Sequence, residues 1–357
     1  MSLSVHAISA LEHRAYIAAH PKIPLRQTPG WARGFESCRT ESIGWFEGDT
    51  LIGAGLVRYR GLPRLPMRTI AVLSGGPDID WTGQRRPQHP LTYWTEPLGA
   101  FLRKRGAIAV RVNPNVTHQD WWAIDPAERS DSTEIAHRDP ESVRWEKRRA
   151  EDRLSEAGWQ HLNELPRNFL AEVVIGGGTA LRKIEHLASD NALMAGYTVR
   201  TGRAEELPKV HRAVTDLHRG IRLPSLGDLA RRWEGLVHEE PGSVKLLVVE
   251  QRGETVYGGL VAVTGGRAWD LSAQLPEMEA ERGEVQVLRA HMIAHAAMTG
   301  SRSLVIPTIR QSEPGQVQLP APGWPPAQLH LLMGTWQQPL RTNWHAAVAP
   351  VVDRLVL

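Results

Sequence analysis

Covalent cross-links and membrane anchors are the first things this chain lacks. One cysteine, Cys38, serves 357 residues, which excludes an intrachain disulfide and any cysteine-rich zinc site. Apolar stretches such as Leu246–Val249 and Leu304–Ile306 fall far short of the roughly 20 residues a membrane-spanning helix needs. Residues Met1–His20 lack the basic start and continuous apolar stretch of a secretory signal. Charge of one sign is also missing: 42 basic residues face 39 acidic ones, so no overall field announces nucleic acid. The expectation is a globular protein of a reducing, cytoplasmic compartment. Its length suits two domains, each with its own core.

Several chemical signatures are absent as well. There is no GxSxG and no placed Ser-His-Asp or Cys-His set, so a covalent intermediate is not expected. Gly176-Gly177-Gly178 lacks the Gly-Lys-Ser/Thr ending of a phosphate loop and reads as a turn before a helix. His291 and His295 have the i,i+4 spacing of zinc ligands, but no glutamate lies between them and no third ligand is evident. The cations of the predicted helix 140–157 (Arg144, Lys147, Arg148, Arg149, Arg153) alternate with Glu141, Glu146, Glu151 and Asp152. That pattern fits a solvated helix with i,i+4 pairs, the alternative being a phosphate-tracking face.

What the chain does have is an internal repeat. FEGDTLIGAGLVRYRG (46–61) and QRGETVYGGLVAVTGG (251–266) each read as two apolar strands around a Gly-acidic turn. Aligned on Gly48 and Gly253, Gly53 meets Gly258; a one-residue shift then matches Gly55-Leu56-Val57 to Gly259-Leu260-Val261. After the first hairpin come a strand at 69–73, an amphipathic helix at 91–106 and a strand at 107–112. After the second come 268–273, 284–300 and 303–306 in the same order. Both helical segments end in glycine, as a helix C-cap does. Four successive matching elements argue for a duplicated unit. The predicted class is α/β (α+β), with units at 1–165 and 166–334 and a tail at 335–357 that packs back on the first.

Hairpin, strand, helix, strand is also the order of the GNAT acyltransferase fold, and two such units resemble the Fem family of aminoacyl-tRNA-dependent peptidyltransferases. Leu25–Trp31 (LRQTPGW) is similar to that family's early LQSPEW turn. Val72–Pro77 (VLSGGP) stands where it has a YAPRGPV-like stretch, and Ala109–Pro114 (AVRVNP) resembles FLRIDP. Gly265–Ala273 (GGRAWDLSA) resembles GGRAWYLYGA and is the most specific match. The resemblance implies tandem GNAT-like units and transfer of an amino acid from aminoacyl-tRNA, as co-substrate, to an amine of a peptide or small molecule. No metal or cofactor is implied. The family's cations are missing at Phe35 and in HLASDNALM (186–194), and His330 stands at the position of its FKxxFG lysine. These departures favour natural-product tailoring over a cell-wall precursor. A peptidoglycan-bridge transferase and an acyl-CoA-dependent N-acyltransferase remain as alternatives.

Direct transfer needs two oriented substrates, an outlet for the ammonium proton and stabilisation of an oxyanion. Strand alternation sends Asp270 and Ser272 to one face and Trp269 and Leu271 to the other, so Asp270 is a candidate to steer or deprotonate an amine. His330 is the second catalytic candidate, a base near neutral pH. Candidate substrate-binding positions are Trp31, Arg33, Ser74, Gly75, Asp78, Trp269, Ser272 and Thr308. The 13 tryptophans are expected mainly in cores, with some placed to stack on a ring.

Overall fold

A computed structural model provides the structure, which describes residues 2–34, 38–62, 65–122, 141–162, 169–175, 196–218, 225–240, 242–271, 282–308 and 327–341. The chain divides into two compact units. The first comprises Met1–His118, Pro140–Arg167 and Leu332–Leu357; the second comprises Gln119–Asp139 and Asn168–Leu331. Residues 119–139, placed in the first unit by the sequence reading, thus group with the second.

Unit 1 runs β1 (Leu3–Ala7), α1 (Ala10–Ala19), α2 (Pro29–Arg33), β2 (Arg39–Glu47), β3 (Thr50–Leu62), β4 (Leu65–Leu73), α3 (Leu91–Lys104) and β5 (Ala107–Val112). Later segments add α4 (Glu141–Glu156), β7 (Gln160–His161) and β15 (Trp336–Pro339). Its seven-stranded sheet has the order β1-β2-β3-β4-β5-β15-β7. Ser9 and Glu12 start α1 with reciprocal bonds, Glu12 N–H to Ser9 Oγ (3.1 Å) and Ser9 N–H to Glu12 Oε2 (2.7 Å). Trp45, Trp81, Trp94, Trp159 and Trp336 lie in one core, where the Trp45 indole N–H donates to Trp94 O at 2.9 Å.

Unit 2 has an eight-stranded sheet, β6 (Thr117–Trp122), β14 (Ala327–Leu332), β8 (Phe169–Val174), β13 (Ser303–Thr308), β12 (Arg267–Asp270), β11 (Glu254–Thr264), β10 (Val244–Gln251) and β9 (Tyr197–Gly202), in that spatial order. Its helices are α5 (Leu207–Leu217), α6 (Leu226–Glu239) and α7 (Gly283–Met298). Among the described residues no helix is long and apolar enough to cross a membrane.

The repeat is real, but its turn is matched differently from the glycine alignment. In unit 1 Glu47 faces Thr50, Phe46 faces Leu51 and Trp45 faces Gly53, so Ile52 bulges out. In unit 2 Gln251 faces Glu254, Glu250 faces Thr255 and Val249 faces Tyr257, so Val256 bulges in the same place. Gly48 therefore corresponds to Arg252, not Gly253, and both have positive φ (58° and 54°). Gly55-Leu56-Val57 then meets Gly259-Leu260-Val261 with no shift. Counting on, Arg58 faces Val72 where Ala262 faces Trp269, so Val72 corresponds to Trp269 and Leu73 to Asp270.

Candidate active site

Each unit contains a parallel strand pair bridged by a helix, and the two pairs end differently. In unit 1, β4 and β5 pair from Thr69↔Ala107 to Leu73↔Val112, with a register shift between Thr69 and Ile70, and the Asn113 N–H extends the ladder to Leu73 O at 3.3 Å. In unit 2 the register covers only Ala268↔Leu304 and Trp269↔Val305. Beyond it β12 follows β11, with the Leu271 N–H donating to Leu260 O at 2.8 Å, while β13 follows β8 as far as Thr308↔Phe169. Counted in the same rungs, the donor that Asn113 supplies in unit 1 falls to Pro307 in unit 2, and proline has no N–H. The ladder stops there, and the place where β12 and β13 cease to pair is called the notch below. Proline inside an apolar strand run was the sequence signal for this, since it forfeits a ladder bond.

Asp270 ends β12 beside this notch. It is 3% exposed, and its Oδ2 lies 3.9 Å from Arg289 Nε on α7. Arg289 occupies the sheet-facing stripe of α7 with Val285, Met292 and Ile293. Trp269, on the opposite face of the strand, is buried, and its indole N–H has no hydrogen-bond partner among the described residues. Positions 307, 170 and 330 form one row of the sheet. Along that row the His330 backbone lies two strands from Pro307, about 10 Å by strand spacing. The side chains of Thr308 and His330 lie outside the described ones. Ser272 lies outside the described residues.

The first turn of α7 is already occupied by a carboxylate. Glu284 accepts from Arg282 Nε at 2.9 Å and from the Tyr197 hydroxyl at 3.1 Å. Burial alone would raise the Glu284 carboxyl, but Arg282, the helix-start N–H and Tyr197 hold it below the ordinary value. A helix N-terminus that would otherwise receive a phosphate thus faces the chain's own anion. Elsewhere on α7, burial and the Lys245 charge depress the His295 imidazole. The His291 Nδ1 is bonded to Val287 O at 2.9 Å. No group of three or more His, Cys, Asp or Glu side chains among the described residues is placed to hold a metal.

In unit 1 the substrate-binding candidates gather after β4. Gln27, which sequence reasoning passed over, is buried and spans two segments: its Nε2 donates to Ser74 O and its Oε1 accepts the Leu56 N–H, both at 2.7 Å. Gly75 has φ 74°, and the Gly55 position lies so close to Pro77 that a Cβ there would come within 2.7 Å of the proline Cβ. Asp78 is fixed by the Tyr16 hydroxyl (2.7 Å) and by a close ion pair with Arg85. Burial and the Asp78 charge push the Tyr16 phenol well above its usual value. Burial works against Arg85, yet the Asp78 bond holds its guanidinium above the ordinary value. Trp31 is half-buried in α2, with its N–H on the Thr28 hydroxyl at 3.2 Å, and Arg33 is exposed. This cluster is internally neutralised, which suits holding a loop in place more than binding an ion.

No protein-family model and no curated protein sequence matches the chain. Solved structures do. FemX aligns over 99% of this chain and 99% of its own, with a TM-score of 0.68 and 13% identity. A tandem GNAT protein from the clavulanic acid biosynthesis pathway aligns over 96% and 100%, with a TM-score of 0.48 and 11% identity. A GCN5-related N-acetyltransferase from Sphaerobacter thermophilus aligns over 95% and 96%, with a TM-score of 0.44 and 13% identity. The likeness to FemX is one of fold and extends over the whole chain. The expected tandem GNAT-like α/β architecture is the one the chain has.

Proposed function

We propose that the protein is an aminoacyltransferase that takes an amino acid from aminoacyl-tRNA and joins it to an amine of a small molecule or peptide. The observation that carries the reading is the β12/β13 notch. Where β12 and β13 stop pairing, before Pro307, the reading seats the acyl group of the donor, with Asp270 at the end of β12 beside it. The duplicate in unit 1 is closed by the Asn113 rung, so the reading places the donor in unit 2.

In the reaction the neutral acceptor nitrogen attacks the ester carbonyl carbon and the bond to the ribose oxygen breaks. That oxygen takes up a proton, and the nitrogen releases one as the amide forms. No cofactor enters this balance. The reading gives the proton to solvent and makes the rate follow the acceptor's neutral fraction.

An acyl-CoA donor fits less well, because Glu284 fills the α7 start where a pyrophosphate would bind. Incubation with charged tRNA and a panel of amines, beside acetyl-CoA with the same amines, tests the choice. Ribonuclease-sensitive product is expected. Product from acetyl-CoA alone, with thermal stabilisation by it, overturns the reading. The lean to natural-product tailoring rests on the missing cations, with Arg33 exposed and no basic residue at position 35. Efficient transfer to a UDP-muramoyl peptide would overturn that part.

A further inference from the structure

Positive charge in unit 1 gathers at one end of its sheet. Residues 50–77 and 97–118 carry eight arginines and lysines and no aspartate or glutamate. The two stretches meet where β4 begins and the last turn of α3 leads into β5. There the Thr69 N–H donates to Gly106 O at 3.3 Å, and a Cβ on Gly106 would lie 3.2 Å from Met67 O. Arg60, three residues from the end of β3 and paired with Ile70, Arg68 on β4, and Arg103 and Lys104 in the last turn of α3 fall at this corner. Arg105 is already paired, its Nε 2.7 Å from Glu41 Oε2, and the Tyr59 hydroxyl donates to the same oxygen at 2.8 Å. Arg60, Arg68, Arg103 and Lys104 form no ion pair among the described residues.

The same corner carries apolar side chains that the core leaves out. Met67 is 84% exposed and Leu65 37%, two residues apart at the start of β4. A lone exposed methionine needs no explanation, but this pair sits among cations with no acid between them. Lipid and nucleic acid both answer to the cations. A polynucleotide would also want exposed rings to stack on, and the aromatics here, Tyr59 and Phe101, are buried beneath the Arg39 and Arg105 guanidinium groups at 4.3 and 3.5 Å. A methionine and a leucine serve a lipid surface better: they enter the acyl boundary while the cations meet headgroup phosphates.

We infer that this corner of unit 1 docks the protein on an anionic lipid surface, with Met67 and Leu65 entering the headgroup layer and Arg60, Arg68, Arg103 and Lys104 facing lipid phosphates. The inference stands apart from the transferase reading and needs no spanning helix. Each cation near an anionic surface changes the partition about fivefold, and salt screens that attraction. Taking the Met67 side chain out of water adds about tenfold. Docking is therefore reversible and steeply dependent on ionic strength.

Co-sedimentation of the full chain with vesicles tests this, one set of phosphatidylcholine alone and one of phosphatidylcholine and phosphatidylglycerol in equal parts. Wild-type protein is expected to bind the mixed vesicles at least about tenfold more tightly, with the difference shrinking as salt rises. Met67→Ser should weaken that binding about tenfold, and Arg68→Gln with Lys104→Gln about twentyfold. Lys104→Gln alone, expected to weaken it about fivefold, keeps the test decisive if the double variant misfolds. Wild-type protein that binds neither vesicle, or both equally, overturns the inference, as does a Met67→Ser variant that binds like the wild type. Uncharged tRNA that is held by the wild type and lost by the double variant, with mixed vesicles not bound, would make the corner an RNA surface and overturns it too. None of these readouts involves turnover, so their failure is distinct from failure of the donor reading.

Discussion

Replacing Pro307 by alanine restores the backbone N–H that the β12/β13 ladder lacks. In unit 1 the equivalent donor, on Asn113, reaches Leu73 O at 3.3 Å, so the geometry for this rung exists in the fold. A backbone hydrogen bond contributes about 1 kcal/mol net. Losing the proline's restriction on the unfolded chain costs about 0.4–1 kcal/mol, so the two effects nearly cancel. Overall stability should therefore move by less than about 1 kcal/mol, while the notch closes by one rung. A donor that enters must first break that rung, and 1 kcal/mol corresponds to about a fivefold rise in KM for charged tRNA, with a smaller change in kcat. Steady-state kinetics give the KM, and amide hydrogen exchange over residues 303–308 reports whether the new N–H is protected. A protected amide with an unchanged KM would refute the reasoning, because the notch would have closed without consequence for the donor.

Burial drives the His13 imidazole down from 6.5 to about 4, with its Nδ1 on the Ser42 hydroxyl at 2.9 Å. Its neutral form is the one that fits, so this contribution is whole above pH 6.5 and fades as pH falls from there toward 4. It amounts to about 3 kcal/mol, of which His13→Gln should remove the pH slope in denaturant titrations between pH 4 and 7. Gln27→Ala strips partners from the buried Leu56 N–H and from Ser74 O and should cost about 2–4 kcal/mol by chemical denaturation; a loss below 0.5 kcal/mol would mean the clamp is incidental. Arg252→Gly relieves a left-handed residue at the unit 2 turn and should stabilise by about 0.5–1 kcal/mol, read as a small rise in melting temperature.

Much of the scaffold was legible because its signals are local. The strand at 107–112 appears with the same ends, and the helix expected at 91–106 covers Leu91–Lys104, stopped before Gly106 at φ 86°. The strand expected at 268–273 is shorter, since β12 ends at Asp270. The turn misled for a physical reason: Gly253 invites alignment with Gly48, yet it is Arg252 that adopts the left-handed conformation there. Asp270 stood out as a polar residue in a strand, but its partner lies on a helix packed across the sheet. Only the tertiary structure joins them. That β8 enters between β13 and β14 was equally hidden, because the strand order follows from long-range registers.

Photo-cross-linking from the charged end of tRNA tests the central claim most directly. A tRNA carrying a photoreactive amino acid is irradiated with the intact protein, and the labelled peptide is mapped. Labelling within residues 268–271 or 303–308 is the predicted result, lost in excess unmodified aminoacyl-tRNA. Labelling at the unit 1 counterpart, residues 70–75 or 110–114, or no competable label at all, would contradict a donor site in the second unit.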